Sequence, residues 1–160
     1  NKCFVQEKTY PETQGIRGSV GLNFAIPISY AKRSIPDMMS QGYTEYPLLG
    51  VVTLPLSGLS FPEEIVKKYE MKTSEGLLIQ KVEPGTPAAN AQLKGGTEAL
   101  AWEALFNVSV GGDIILKADG QKMVHPDELT QYLETNKKVG DTLTLTILRQ
   151  GKEMTVSVKL

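Results

Sequence analysis

Residues 46–56 read YPLLGVVTLPL, and the fold turns on what that stretch does. Its apolar, β-branched run is a strand signal. Gly50 stands between apolar residues just before the strand, so that the backbone amides around it can point outward together. Such amides form a site for a carboxylate, and a strand beside them can pair with an extended chain.

The punctuation that follows is regular. SFPEEIVKKYEM (60–71) predicts a short helix, with Ser60 and Glu63 spaced as a capping box and Glu63 and Glu64 as the acidic pair a helix N-terminus favours. EGLLIQKVEPG (75–85) predicts a strand and a turn, and TPAANAQLKGG (86–96) a two-turn helix with Thr86 as N-cap, Pro87 at the first helical position and glycine just past the end. TEALAWEALFNVSV (97–110) fits either a helix or an extended loop. GGDIILKADGQKM (111–123) predicts a strand with a tight Asp119–Gly120 turn, and HPDELTQYLETN (125–136) a helix. The chain closes on a hairpin: Leu143, Leu145 and Ile147 alternate with polar residues, Gln150–Gly151 makes the turn, and Met154, Val156, Val158 and Leu160 alternate back. The sum is five or six strands and two or three short helices, a mainly antiparallel barrel or sandwich of the α+β class.

Upstream, ISYAKRSIPDMMSQGY (28–43) places Ala31, Ile35, Met38 and Met39 at helical spacing and ends at Gly42, with Pro36 predicting a bend or a second start. GSVGLNFAIPIS (18–29) reads as a short buried strand through Val20, Leu22 and Phe24. It lacks neighbours, because the residues before it offer one short apolar run, Cys3 to Val5.

Composition narrows the function classes. Seventeen basic and eighteen acidic side chains nearly cancel, and no basic block is present, so phosphate-driven binding of nucleic acid is set aside. No apolar run approaches the roughly 20 residues that span a bilayer, and the N-terminus lacks the layout of a signal peptide. A single cysteine, Cys3, rules out an internal disulfide and a cysteine-based metal site. The one histidine, His125, precedes Pro126 and a helix, no GxSxG string occurs, and neither a histidine pair nor a carboxylate-rich loop offers metal-ligand spacing. Neither catalysis nor a cofactor or metal is therefore expected of this chain alone. Binding is better supported. On the 125–136 helix, His125, Leu129 and Tyr132 fall at i, i+4 and i+7 and share a face that, opposite a strand edge, makes a groove. Read without that groove, Leu129 and Leu133 are plain core residues and His125 a neighbour of the cap.

From about Gly15 to Leu160 the chain resembles the back end of an HtrA (DegP-like) serine protease. GSVGLNFAIPI resembles the last strand of that family's trypsin-like domain, AKRSIPDMM its linker helix, YPLLGVV its carboxylate-binding loop, and VEPGTPAANAQLKGG with GGDIILKADGQKM segments of its PDZ domain. No single string decides; five in order over nearly the whole chain do. The resemblance implies a remnant of the protease domain over 1–29, a linker helix over 30–42 and a PDZ domain over 43–160, with the catalytic triad upstream of residue 1.

It also implies roles. Leu48, Leu49, Gly50 and Val51 would form the loop that holds a peptide's terminal carboxylate. Val52, Thr53 and Leu54 would continue the strand that pairs with the peptide. His125, Leu129, Tyr132 and Leu133 would present the groove helix, His125 reading the third side chain from the peptide's end. The insertion from Gly95 to Gly111 would cover the groove or meet a neighbouring protease domain. The implied function is recognition of C-terminal or unfolded segments for substrate recruitment and protease regulation. The implied location is periplasmic or otherwise extracytoplasmic, with a monomeric fragment and a parent homo-oligomeric through its protease domain. Two alternatives stand beside it: an active endopeptidase whose catalytic part lies elsewhere, and a pseudoprotease whose PDZ domain serves as an adaptor.

Overall fold

A computed structural model of the chain describes residues 28–102 and 106–160, which divide into two units between Thr44 and Glu45. The strand expected through Val20, Leu22 and Phe24 lies outside the described residues. In the first unit, helix α1 (Ile28–Gln41) runs through Pro36 as one element. It stops at Gly42, whose φ of +81° is left-handed and whose N–H donates to the Met38 carbonyl (3.1 Å), the expected C-cap. Ile35, Met38 and Met39 are exposed along it.

The second unit is mainly β with short helices. Strands β1 (Val51–Pro55), β2 (Leu77–Val82), β5 (Ile114–Ala118), β7 (Thr142–Arg149) and β8 (Lys152–Lys159) form one antiparallel sheet in the order β1-β2-β5-β7-β8, and the short β6 (Gln121–Lys122) pairs with β5. Strands β3 (Glu98–Trp102) and β4 (Phe106–Val110) form a separate hairpin. Helices α2 (Glu63–Lys68), α3 (Pro87–Asn90) and α4 (Pro126–Asn136) complete it.

The apolar runs of the central strands follow from burial on both faces. On β2, Leu77 and Ile79 enter one core cluster and Leu78 the other; Ile115 and Ile114 on β5 split the same way, as do Ile147 and Leu148 on β7. The first cluster is covered by α3 and α4 through Ala88, Leu129 and Leu133. The second is closed by the hairpin through Leu100, Val108 and Val110 and by α2 through Ile65. The hairpin is the stretch for which the sequence fitted helix or loop equally.

Two helices differ from expectation at their ends. Ser60 does not cap α2, whose N-cap is Pro62 and whose first turn begins at Glu63. Helix α3 is one turn long: the Leu93 N–H reaches the Ala88 carbonyl and the Gln92 N–H the Ala89 carbonyl (both 3.0 Å). That pattern ends a helix with one left-handed residue, here Gln92 at φ +58°, and the flanking Ala88 and Leu93 are both buried. The Asp119–Gly120 and Gln150–Gly151 turns both have paired positive φ, as two-residue hairpin turns require.

One buried ion pair ties the sheet to the loop after α3. Asp113 is 1% exposed. Its carboxylate accepts Arg149 Nε and Nη2 (2.6 Å each) and the Lys94 N–H (2.8 Å), while Arg149 Nη2 also donates to the Gln92 carbonyl (3.0 Å). Removing one partner leaves the other charge without its match in low-dielectric surroundings. Asp113→Ala is therefore expected to cost about 3–5 kcal/mol of stability, measured as a fall in the urea midpoint with an unchanged slope.

Candidate functional site

A cleft of about 570 Å³ opens between residues 46–53 and helix α4. β1 is an edge strand, hydrogen-bonded to β2 along one side only, so its other edge offers backbone groups to a further strand. The loop before it is held by its carbonyls. Leu49 O accepts the Ala88 N–H (3.0 Å) and Gly50 O accepts the Glu83 N–H (2.9 Å). The N–H groups of Leu48, Leu49 and Gly50 have no hydrogen-bond partner among the described residues. Gly50 adopts φ +82°, and a Cβ there would stand 2.3 Å from Thr86 Cβ. Fixing the Leu49 and Gly50 carbonyls inward turns outward the N–H groups that share their peptide units, those of Gly50 and Val51, which is the form of an anion-binding nest. Thr86 Oγ1 is itself anchored, donating to the Glu83 carbonyl (2.6 Å).

The residues singled out from the sequence divide in two. The cleft brings together Leu48, Leu49, Gly50, Val51, Val52 and Thr53 with Leu129 and Leu133. Leu49, Leu129 and Leu133 are buried, while Leu48 and Val52 are exposed at 66% and 49% as an apolar rim. Leu54 does not reach the cleft; it packs against the second core cluster. His125 is exposed at the start of α4, where its N–H and that of Val124 donate to the Glu128 carboxylate (3.1 and 2.7 Å), holding it below the usual carboxylate range. No described residue of the Gly95–Gly111 insertion lines the cleft.

Tyr132 also faces away. Its hydroxyl donates to Asp119 Oδ2 (2.9 Å), an oxygen that Lys137 Nζ also reaches (2.7 Å), while Asp119 Oδ1 accepts the Thr144 N–H (2.8 Å). Burial pushes the Asp119 carboxyl up, but the bonds from Lys137, Thr144 and Tyr132 outweigh it and leave the group below its ordinary value. Lys137 is raised, chiefly by its bond to Asp119. This cluster fastens the C-terminal half of α4 to the turn after β5.

The face of α4 toward the cleft is Pro126, Leu129, Thr130, Leu133 and Glu134, the i, i+3, i+4, i+7 and i+8 positions of one stripe. Thr130 and Glu134 escaped the reading of the sequence because that reading set its stripe from His125. The Leu129–Leu133 spacing carried the better signal, since a stripe drawn through both leucines passes over Thr130 and Glu134.

A PDZ domain family profile matches residues 47–160. The chain is 32% identical over 142 residues to the serine protease Do-like HtrA of Bacillus subtilis (strain 168), covering 88% of this chain and 28% of that protein. It is 31% identical over 143 residues to a probable periplasmic serine endoprotease DegP-like of Marinomonas sp. (strain MWYL1), covering 89% and 26%. The chain therefore spans little more than a quarter of the length of these relatives. Among solved structures, an HtrA-type protease AlgW with decapeptide superposes with a TM-score of 0.61 at 20% identity, covering 89% of this chain and 37% of that one, a likeness of fold.

Two outcomes follow from the geometry. Gly50→Ala combines a left-handed backbone with overlap on Thr86, and is expected to cost about 2–4 kcal/mol in chemical denaturation. Asp119→Asn keeps the turn and the acceptor for Thr144 but removes the charge. Because the Asp119 pKa is depressed in the folded state, its contribution is present above the unfolded carboxyl value of about 3.9 and is lost as pH falls through the folded value. The variant is expected to be less stable than the parent by about 1 kcal/mol at pH 7, and the gap between the two melting curves is expected to narrow as pH falls below the unfolded carboxyl value.

Proposed function

Since the chain belongs to the PDZ domain family, we propose that it is the peptide-binding module of an HtrA-like serine endopeptidase. In this reading it captures C-terminal or unfolded segments of other proteins, recruiting them as substrate and regulating the protease. The observation that carries it is the convergence in one cleft of unpaired loop amides, an open strand edge and an apolar helix wall. A peptide entering the cleft adds a strand to β1, places an apolar side chain against Leu49, Leu129 and Leu133, and presents its terminal carboxylate to the amides of Gly50 and Val51. The side chains of Val52 and Thr53 flank the added strand, and Leu54 supports it from the second core.

Residues 1–29 are, on the same reading, the end of the protease domain, 30–42 its linker and 43–160 the PDZ domain. The catalytic machinery, and the assembly of the parent into a homo-oligomer, belong to the part of such a protein upstream. Relatives named as periplasmic endoproteases support an extracytoplasmic location, and relatives named as proteases do not favour the pseudoprotease alternative. Among the described residues no helix is long and apolar enough to cross a membrane.

Fluorescence polarisation with apolar-ended peptides, each as free acid and C-terminal amide, tests the reading. Micromolar binding, about −8 kcal/mol, that weakens at least tenfold on amidation is expected. Equal binding of the two forms would overturn the carboxylate role of the loop and leave recognition of internal extended segments.

A further inference from the structure

We infer that Glu134 makes this groove selective for extended segments that carry a lysine or arginine side chain beside their apolar anchor. The inference rests on the peptide-binding reading above and names the class of peptide that the cleft prefers.

The argument starts from the charges of the two walls. Residues 46–56, which supply the loop and strand, hold no Asp, Glu, Lys or Arg. Opposite them, α4 carries Asp127, Glu128 and Glu134 and no basic residue. Of these three, Glu134 lines the cleft, and it is the one carboxylate or cation among the lining side chains. Glu128 is engaged by the N–H groups of Val124 and His125. Glu134 is partly buried and has no hydrogen bond or ion pair among the described residues.

The nearest basic side chain along the chain, Lys137, is bonded to Asp119 and to the Thr142 carbonyl (2.7 Å). Among the described residues no ion pair or hydrogen bond supplies Glu134 with a countercharge. A carboxylate on the wall of an otherwise apolar cleft keeps its water while the cleft is empty. It must surrender part of that water when a strand lies against it, and the loss is offset only if the incoming strand brings a donor or a cation. A lysine or arginine supplies both; a glutamate adds repulsion to the loss. The loop amides that receive the terminal carboxylate leave this preference intact, because the ligand's own cation neutralises Glu134.

The size of the effect is that of a partly exposed pair, about fivefold in affinity between a cationic and a neutral side chain, with a similar further loss for an acidic one. The test uses the 160-residue chain and fluorescein-labelled decapeptides ending in valine. Lysine, glutamine or glutamate is placed in turn at each of the three positions before the end. At one of these positions the order Lys, Gln, Glu is expected, each step about fivefold. In Glu134→Gln the steps are expected to collapse to less than twofold. Raising salt from 50 to 500 mM is expected to shrink the preference in the parent chain and leave the variant unaffected.

Equal affinity for the three peptides at every position, or a preference that survives unchanged in Glu134→Gln, overturns the inference while the peptide-binding reading stands. Absence of binding by every peptide overturns the reading of the groove and the inference together.

Discussion

The cleft depends on where two carbonyl groups point. Leu49 O is held by the N–H of Ala88 in α3, and Gly50 O by that of Glu83 just beyond β2. The N–H of residue i+1 lies opposite the C=O of residue i in one peptide unit, so anchoring these two carbonyls inward turns the N–H groups of Gly50 and Val51 outward. Gly50 is the residue that permits the turn, both by its left-handed backbone and by having no side chain to strike Thr86. The loop is thus positioned by the strand and helix that follow it in sequence, and its geometry is only as good as the packing of those elements on the first core cluster.

That packing rests in turn on a sheet covered on both sides. Burial of adjacent residues on opposite faces at Leu77–Leu78, Ile114–Ile115 and Ile147–Leu148 requires a layer above and a layer below. Helices α3 and α4 supply one, and the β3–β4 hairpin with α2 the other. The groove belongs to the first layer and the insertion to the second, which is why the described residues of the insertion stay clear of the cleft. The Asp119, Tyr132 and Lys137 cluster then adds a polar anchor outside the cleft that ties the end of α4 to the turn after β5.

Most of this was legible in the sequence, for identifiable reasons. Period-two alternation and paired turn residues marked the closing hairpin, and the apolar run around Gly50 marked the loop and edge strand. Helix ends were less legible where left-handed caps are occupied by Glu70 (φ +47°) and Gln92 (φ +58°) rather than glycine, because a reading based on intrinsic preference looks for glycine there. Residues 97–110 are rich in Ala, Leu and Glu, which suit a helix, and became a hairpin because Leu100, Val108 and Val110 cover the second cluster, a tertiary demand that outweighs local propensity. At the groove, the leucine spacing was visible but the phase of the helix was not. Whether Tyr132 turns toward the cleft or toward Asp119 is decided by a residue 13 positions away.

The open edge of β1 also bears on how such a protein stays in solution. An unpaired strand edge is a template for uncontrolled sheet growth, and proteins usually blunt it with charge, a bulge or proline. Here the edge strand is uncharged, and it has a register shift between Val52 and Thr53 and ends at Pro55. Helix α4 packs beside this strand, so a second sheet pairing along the edge meets the helix. The opposite edge, β8, carries Lys152, Glu153 and Lys159 as exposed charges. One margin of the sheet thus carries charge and the other carries a helix beside it, two different obstacles to edge-to-edge pairing.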